Sequence, residues 1–122
     1  MTTLAEARAE LVAALATAGL SAYADAGEYD PPFVYVRGDG IPDPSHVVRG
    51  TVESQWVATC VAGGWDQQGT AADLDATKLG VLTALRSLAG WRLGPVSRDG
   101  IRRVGGADLL TADVSAFRHV DI

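Results

Sequence analysis

Three residues of the chain have the side-chain chemistry of a small active site: Asp43, His46 and Cys60. A cysteine beside a histidine and an acid can act as a nucleophile, because the histidine accepts the thiol proton. The local pattern argues against this use of Cys60, which falls mid-strand on an apolar face beside Trp56. We therefore expect Cys60 to be a small core residue, and we expect no catalytic residue in the chain.

The stretch VRGDGIPDPSHVVRG carries two further motifs. The triplet Arg37-Gly38-Asp39 is the sequence of an adhesion ligand, but the disulfide-stapled setting of such ligands is absent, which favours a chance occurrence in a turn. Asp39 and Asp43 could bind a cation, yet the alternating oxygen ligands and final bidentate glutamate of a calcium loop are missing. No glycine pair fits a phosphate-binding loop. Neither a metal nor a cofactor is expected.

Composition and charge restrict the class of protein. The 122 residues suit a single domain, and 48% hydrophobic residues allow a packed core. A net charge of −5 argues against a general nucleic-acid binder, although Arg98, Arg102 and Arg103 could still form a local basic patch.

The single cysteine indicates a reducing compartment or an inert buried thiol. No apolar run reaches the roughly 18 residues that span a bilayer, and the N-terminal segment lacks the basic start of a secretion signal, so no membrane partner is expected.

Two helices are predicted from apolar residues that recur every three or four positions. The first covers residues 3–18, where Thr3 and Glu6 form a capping-box pattern. The second covers residues 70–89, with Thr70 as its N-cap. A glycine follows each helix, where helices commonly end: Gly19 and Gly90.

Period-two alternation predicts strands over 46–64 and in the C-terminal residues, and the strand-forming residues of 33–37 predict another. A short edge strand is expected at 20–25, and a hairpin turn at Asp99-Gly100. The segment 46–64 is polar on one face early and apolar later. A strand of about 14 residues within it reaches about 46 Å, more than a small core needs, so its polar half should project as a hairpin arm or bend at Gly50. The elements predict an α+β fold: one mostly antiparallel sheet, two helices packed on one face and a long protruding strand or hairpin.

Three tryptophans are expected in three settings. Trp56 falls on the buried face of the long strand, and Trp91 follows a helix end where it can cover the core. Trp65 lies in the loop GGWDQQG, where it is either an exposed anchor for a partner or a lid over its own core.

The layout of the whole chain resembles the tail terminator (tail completion) proteins of long-tailed bacteriophages, especially those of actinobacteriophages. The resemblance lies in the order of four features: the N-terminal helix followed by AGLSAYADAGEYDPPFVYV, the strand VRGTVESQWVATCVAGG, the helix DLDATKLGVLTALRSLAGW, and a glycine-bearing hairpin before a final alternating strand. It covers almost the full length, and no single motif in it is diagnostic.

The resemblance implies a structural protein of the virion, assembled in the cytoplasm of the bacterial host and without enzymatic activity. Such proteins form a homo-oligomeric ring, typically of six subunits, on the end of the tail tube. The ring ends polymerisation of the tail tube protein and joins the tail to the head-side connector or head-closure protein. Genomic DNA passes through its lumen without specific binding, which the acidic composition also favours.

A ring requires two different contact patches on each subunit. We expect one patch in the loop 38–49 and the polar half of the long strand, because Pro42 and Pro44 stiffen that loop. Trp65 is a candidate for the second patch. The predicted interface residues are Arg37, Asp39, Asp43, His46, Arg49, Glu53 and Trp65. The alternatives are another neck component, such as a head-closure or connector protein, and a small cytosolic enzyme or ligand-binding module.

Overall fold

The structure is a computed structural model that describes residues 2–27, 29–45, 47–48 and 50–121, and of Val48 only the backbone. The described residues form two helices and seven strands. In chain order these are α1 (Leu4–Thr17), β1 (Ala22–Tyr23), β2 (Phe33–Gly38), β3 (Val47–Val48), β4 (Thr51–Gly64), α2 (Thr70–Arg86), β5 (Trp91–Val96), β6 (Gly100–Val104) and β7 (Ala107–Asp121).

The first helix begins and ends as its sequence predicts. The Thr3 hydroxyl accepts a hydrogen bond from the Glu6 amide, and the Glu6 carboxylate accepts one from the Thr3 amide. The chain leaves the helix through Gly19, whose φ of 89° disfavours any residue with a Cβ. These two terminal motifs set the bounds of α1.

The second helix differs from its prediction at both ends. Its N-cap is Gly69 in the left-handed region, with no side-chain cap, and Thr70 is instead a buried first residue of the helix. The helix ends at Arg86, three residues before the predicted end, and Gly90 forms part of the turn into β5. The prediction of Thr70 as N-cap was therefore wrong, because glycine supplies the backbone conformation that the tight entry from β4 requires.

One mixed, mostly antiparallel sheet contains all the described strands, in the order β1-β2-β4-β7-β5. Only β1 and β2 run parallel, and the predicted short edge strand is β1. The long strands β4 and β7 lie side by side at the centre, paired from Thr51↔Asp121 to Gly64↔Leu109. A bulge interrupts this pairing between Val61 and Gly63.

Both helices lie on one face of the sheet, as predicted. The core between helices and sheet contains α1 residues such as Leu11, α2 residues such as Val81, and the even-numbered residues of β4 and β7. Trp56 is 2% exposed within it, and Trp91 packs against its edge, with the indole N–H donating to the Glu10 carboxylate. The alternation of the central strands therefore sets which face receives the helices.

The long central segment bends at Gly50, one of the two predicted alternatives. Strand β3 folds back on β4, with Val47 opposite Val52, and Gly50 has a φ of 75°. The polar half of β4 does not form a free arm, because β7 is paired with it as far as Thr51. Its even residues Val52 and Ser54 are buried.

The C-terminal hairpin turns at a different dipeptide from the predicted one. Strands β6 and β7 are joined by Gly105 and Gly106, with φ of 58° and 83°, and Val104 lies opposite Ala107. These angles are typical of the type I′ turn that matches strand twist. Asp99-Gly100 instead joins β5 to β6 along the same edge of β7, so the hairpin prediction at that dipeptide was wrong.

No helix within the described ranges has the length and apolarity to cross a membrane.

Candidate interaction face

Among the described residues, neither helix packs on the second face of the sheet, which we call the open face and define by Tyr35, Thr59 and Asp113 at its centre. These three residues lie opposite one another across β2, β4 and β7. Thr59 is fully buried and Tyr35 nearly so, although no helix covers them. Part of the cover is a second apolar cluster on this face, in which Tyr35 packs with Phe33, Val61 and Val104.

Asp113 is the centre of the hydrogen bonding on this face. Its carboxylate accepts two bonds from Arg102, at 3.2 Å from Nη1 and 2.9 Å from Nη2, and a third from Thr59 Oγ1 at 2.8 Å. Partial burial favours the neutral acid, but the bonds from Arg102 and Thr59 and the charges of Arg102 and Arg37 outweigh it, so the pKa of Asp113 lies below its ordinary value of 3.8. The hydrogen bond to Asp113 likewise raises the pKa of Arg102.

Arg37 links this centre to the loop that follows β2. Its Nη2 lies 3.8 Å from Asp113 Oδ2, and its Nη1 lies 3.4 Å from Asp39 Oδ1. The adhesion triplet is therefore the end of a strand, in which the arginine and aspartate pair with each other. Gly38 pairs with Trp56 inside the sheet.

Glu53 organises a second group of charges on the open face. Arg92 Nη2 donates to Glu53 Oε1 at 2.9 Å, and the Arg92 guanidinium lies 4.2 Å from the centre of the Phe117 ring. His119 Nε2 is 3.8 Å from Glu53 Oε2, an ion pair only when the imidazole is protonated. These side chains come from three adjacent strands, which the alternation of β4, β7 and β5 places on one face.

The loop after β2 is held at its base and near its tip. The Asp39 amide donates to the Gln55 carbonyl at 2.8 Å, and the Gln55 amide donates to the Gly40 carbonyl at 2.8 Å, so the sheet continues for two residues. Asp43 Oδ1 accepts from the Ser45 amide at 3.2 Å and from the Ser45 hydroxyl at 2.7 Å. Asp39 and Asp43 are exposed, as predicted.

The structure brings three of the predicted interface residues together on the open face and places Trp65 far from them. Arg37, Asp39 and Glu53 belong to the open face, and Asp43 lies in the adjoining loop. Trp65 is 57% exposed, so it is no lid over its own core, and it lies 12 residues along the chain from Glu53, about 40 Å away along β4. His46 and Arg49 lie outside the described residues.

The predicted interface residues did not include three residues of the open face: Arg92, Arg102 and Asp113. Asp113 had a usable signal, because it alternates with the apolar residues Ala112 and Val114 and so must lie on the face away from the helices. The partners of Asp113 carry no such signal, because the sheet pairing decides which arginine reaches it.

Cys60 lies in the core, as predicted, and is fully buried. Burial raises the pKa of its thiol to about 12, with a further contribution from the charge of Asp113. The thiolate, which is the nucleophilic form, is therefore scarcely populated near neutral pH. Among the residues that the structure describes, no three His, Cys, Asp or Glu side chains come together as metal ligands.

The fold and this face define a two-layer α+β protein whose sheet has one face under helices and one face on which an apolar cluster lies beside paired charges. Comparison of the sequence with protein-family models and with curated proteins gives no match.

Proposed function

We propose that the protein is a structural subunit of a phage virion, a tail terminator that assembles into a ring on the end of the tail tube. The observation that carries this proposal is the open face: a broad sheet surface whose charges are paired side by side around Asp113 and Glu53. Paired charges suit a surface that contacts another protein, because side chains already held in ion pairs lose little conformational entropy on docking.

The resemblance to tail terminators implies that the subunits close into a ring. A closed ring of identical subunits uses a different patch on each side of a subunit. The open face with its adjoining loop and the turn at Trp65 are two further, separate regions, available for contact with the tube and the head-side connector. In this proposal the ring ends polymerisation of the tube protein and receives the head-side connector.

The test is to measure the mass of the protein alone and with purified tail tubes, by analytical ultracentrifugation and electron microscopy. We expect a ring-sized assembly, alone or at the tube end. A protein that stays monomeric in both conditions would contradict the proposal.

The position of the labelled protein in the particle distinguishes a tail terminator from a head-side connector. In tails made without heads, we expect labelled protein at the tube end. Label found only on heads would assign the protein to the head side of the neck instead.

A further inference from the structure

The segment 91–104 forms one continuous edge of the sheet. Strand β5 pairs with β7 from Trp91 to Val96, the Ser97 amide donates to the Asp113 carbonyl at 2.8 Å, and β6 pairs with β7 from Gly100 to Val104. No described strand pairs with its outer side. We call this segment the basic edge, for the charges described below.

Large apolar side chains stand exposed along this edge. Leu93 and Val96 lie opposite Ala116 and Val114 of the core, so their side chains point to the helix-bearing side of the sheet. Ile101 on β6 adds to them; these three side chains are between 37% and 57% exposed. Single exposed apolar residues are ordinary, but three along one edge of a small domain suggest a contact surface.

Positive charge is concentrated at the same edge. The segment 91–104 contains four arginines and one acid, Asp99, which pairs with Lys78 of α2 at 2.6 Å. Three of the arginines pair within the subunit, with Glu53, Asp113 and Asp108. Arg98 takes part in none of the ion pairs found among the described residues.

The opposite edge of the sheet has the opposite charge. The segment 20–45, which contains β1 and β2, has five acids and one arginine, Arg37. Asp25 and Asp30 are exposed and take part in none of the ion pairs found in the described ranges. Four inter-strand spacings separate β1 from β5, about 19 Å, so the two charged edges lie on different sides of the subunit. We call this the acidic edge.

A shallow apolar groove runs beside the acidic edge, on the helix-bearing side. It lies between α1 and the chain after β1 and is lined by Ala5, Arg8, Ala9, Val12, Ala13 and Ala24. The one cation in it, Arg8, has its guanidinium carbon 5.4 Å from the centre of the Trp56 ring. Each edge therefore combines apolar surface with charge, and the two charges are of opposite sign.

The basic edge is not suited to adding another strand. Pro95 has no amide proton, and the pairing of β5 with β7 is irregular between Leu93 and Val96. Such features protect an edge against unlimited strand pairing. A partner must therefore contact this edge through its side chains and not by pairing with its backbone.

From these observations we propose that the basic edge of one copy docks, through its side chains, on the acidic edge of a second copy. The contact is head to tail, so repetition of it generates a ring or a filament. This assignment rests on the proposed ring, for which it supplies the subunit interface.

The test uses two charge-reversal variants that should fail alone and assemble together. Arg98→Glu/Arg103→Glu makes both edges acidic, and Asp25→Arg/Asp30→Arg makes both edges basic. Arg103 and Asp108 are exposed, so loss of their ion pair should cost little stability. In an equimolar mixture every contact between unlike variants joins opposite charges, and a ring with an even number of subunits can close.

We expect each variant alone to self-associate at least about tenfold more weakly than the natural protein, and the mixture to regain its assembly. Asp73→Arg, a reversal of the same sign at an exposed position in the first turn of α2, is the matched control and should assemble normally. Circular dichroism and thermal unfolding of each variant establish that the fold is retained.

The other outcomes overturn the assignment in distinguishable ways. Normal assembly of both variants would remove these edges from the interface while leaving the ring intact. Failure of the Arg98→Glu/Arg103→Glu variant alone, with normal assembly of the other, would indicate a two-fold contact between basic edges. Failure of both variants without recovery in the mixture would also exclude the head-to-tail contact. A natural protein that is monomeric both alone and with tail tubes would overturn the ring itself.

Discussion

Asp113 shows how a single side chain stabilises the open face. Its carboxylate is bound by a guanidinium and a hydroxyl from two other strands, and those groups would lose a charged partner if it were removed. Hydrogen bonds to charged groups are stronger than neutral ones, and leaving the partners unsatisfied adds a desolvation cost.

Asp113→Asn should lower the free energy of unfolding at neutral pH by about 1–3 kcal/mol, because Arg102 and Arg37 lose their counter-charge. The pKa of Asp113 is lowered on folding, so its stabilisation is complete above the ordinary value of 3.8 and is lost as the pH falls through the lowered value. Asparagine does not titrate. Urea unfolding at a series of pH values should therefore show the difference between the two proteins narrowing on acidification.

Asp108→Asn is the control for this measurement. Asp108 pairs with Arg103 at 3.3 Å, but both side chains are more than half exposed. The change should alter stability by less than about 1 kcal/mol. A gap between Asp113→Asn and the natural protein that stays constant down to acidic pH would contradict the role of the carboxylate charge.

Alanine substitutions at two glycines test which of the two dipeptides forms the C-terminal hairpin turn. Gly106 has a φ of 83°, and alanine there should cost about 1 kcal/mol or more. A Cβ at Gly100 meets no other atom, and its φ is not in the left-handed region, so Gly100→Ala should change stability by no more than about 0.5 kcal/mol. Thermal unfolding of the two variants compares them directly. The reverse order of stabilities would place the turn at Asp99-Gly100.

The loop after β2 is the element that best tests the proposed assembly role. Replacing residues 39–44 with a Gly/Ser linker removes Asp39, Asp43 and two prolines but leaves the sheet intact. We expect weaker ring or neck assembly, measured by sedimentation and electron microscopy, with unchanged circular dichroism. Ser45→Ala is the matched control, since it removes only a hydroxyl bond to Asp43. Normal assembly of the linker variant would refute a contact role for the loop.

Across the whole molecule, backbone amides of the central strands should be better protected against hydrogen exchange than amides of the edge strands. Strands β4 and β7 have a neighbour on each side along most of their length, whereas β5 and β6 are exposed along one side. Hydrogen exchange of the dilute protein should be slowest in β4 and β7 and faster in residues 91–104. Assembly should then slow exchange in 91–104. Equal exchange at that edge in dilute and assembled protein would contradict its burial in the interface.

The exposure of Trp65 was decided by the structure, whereas the sequence by itself determined both helices, the alternating central strands, the burial of Trp56 and Cys60, and the exposure of the loop acids. These features depend on local periodicity, capping residues and glycine or proline signals, which act over a few residues.

Only the tertiary structure decided the features that depend on contacts distant in sequence. Asp99-Gly100 and Gly105-Gly106 are both acceptable turns locally, and the pairing of β5 and β6 along β7 selects the second. Asp113 meets Thr59, 54 positions away, only because β4 and β7 pair in that register. The opposite charges of the two edges likewise become a surface property only when the sheet places β1 and β5 at its two ends. Register and strand order are set by the whole core, and no short stretch of sequence contains them.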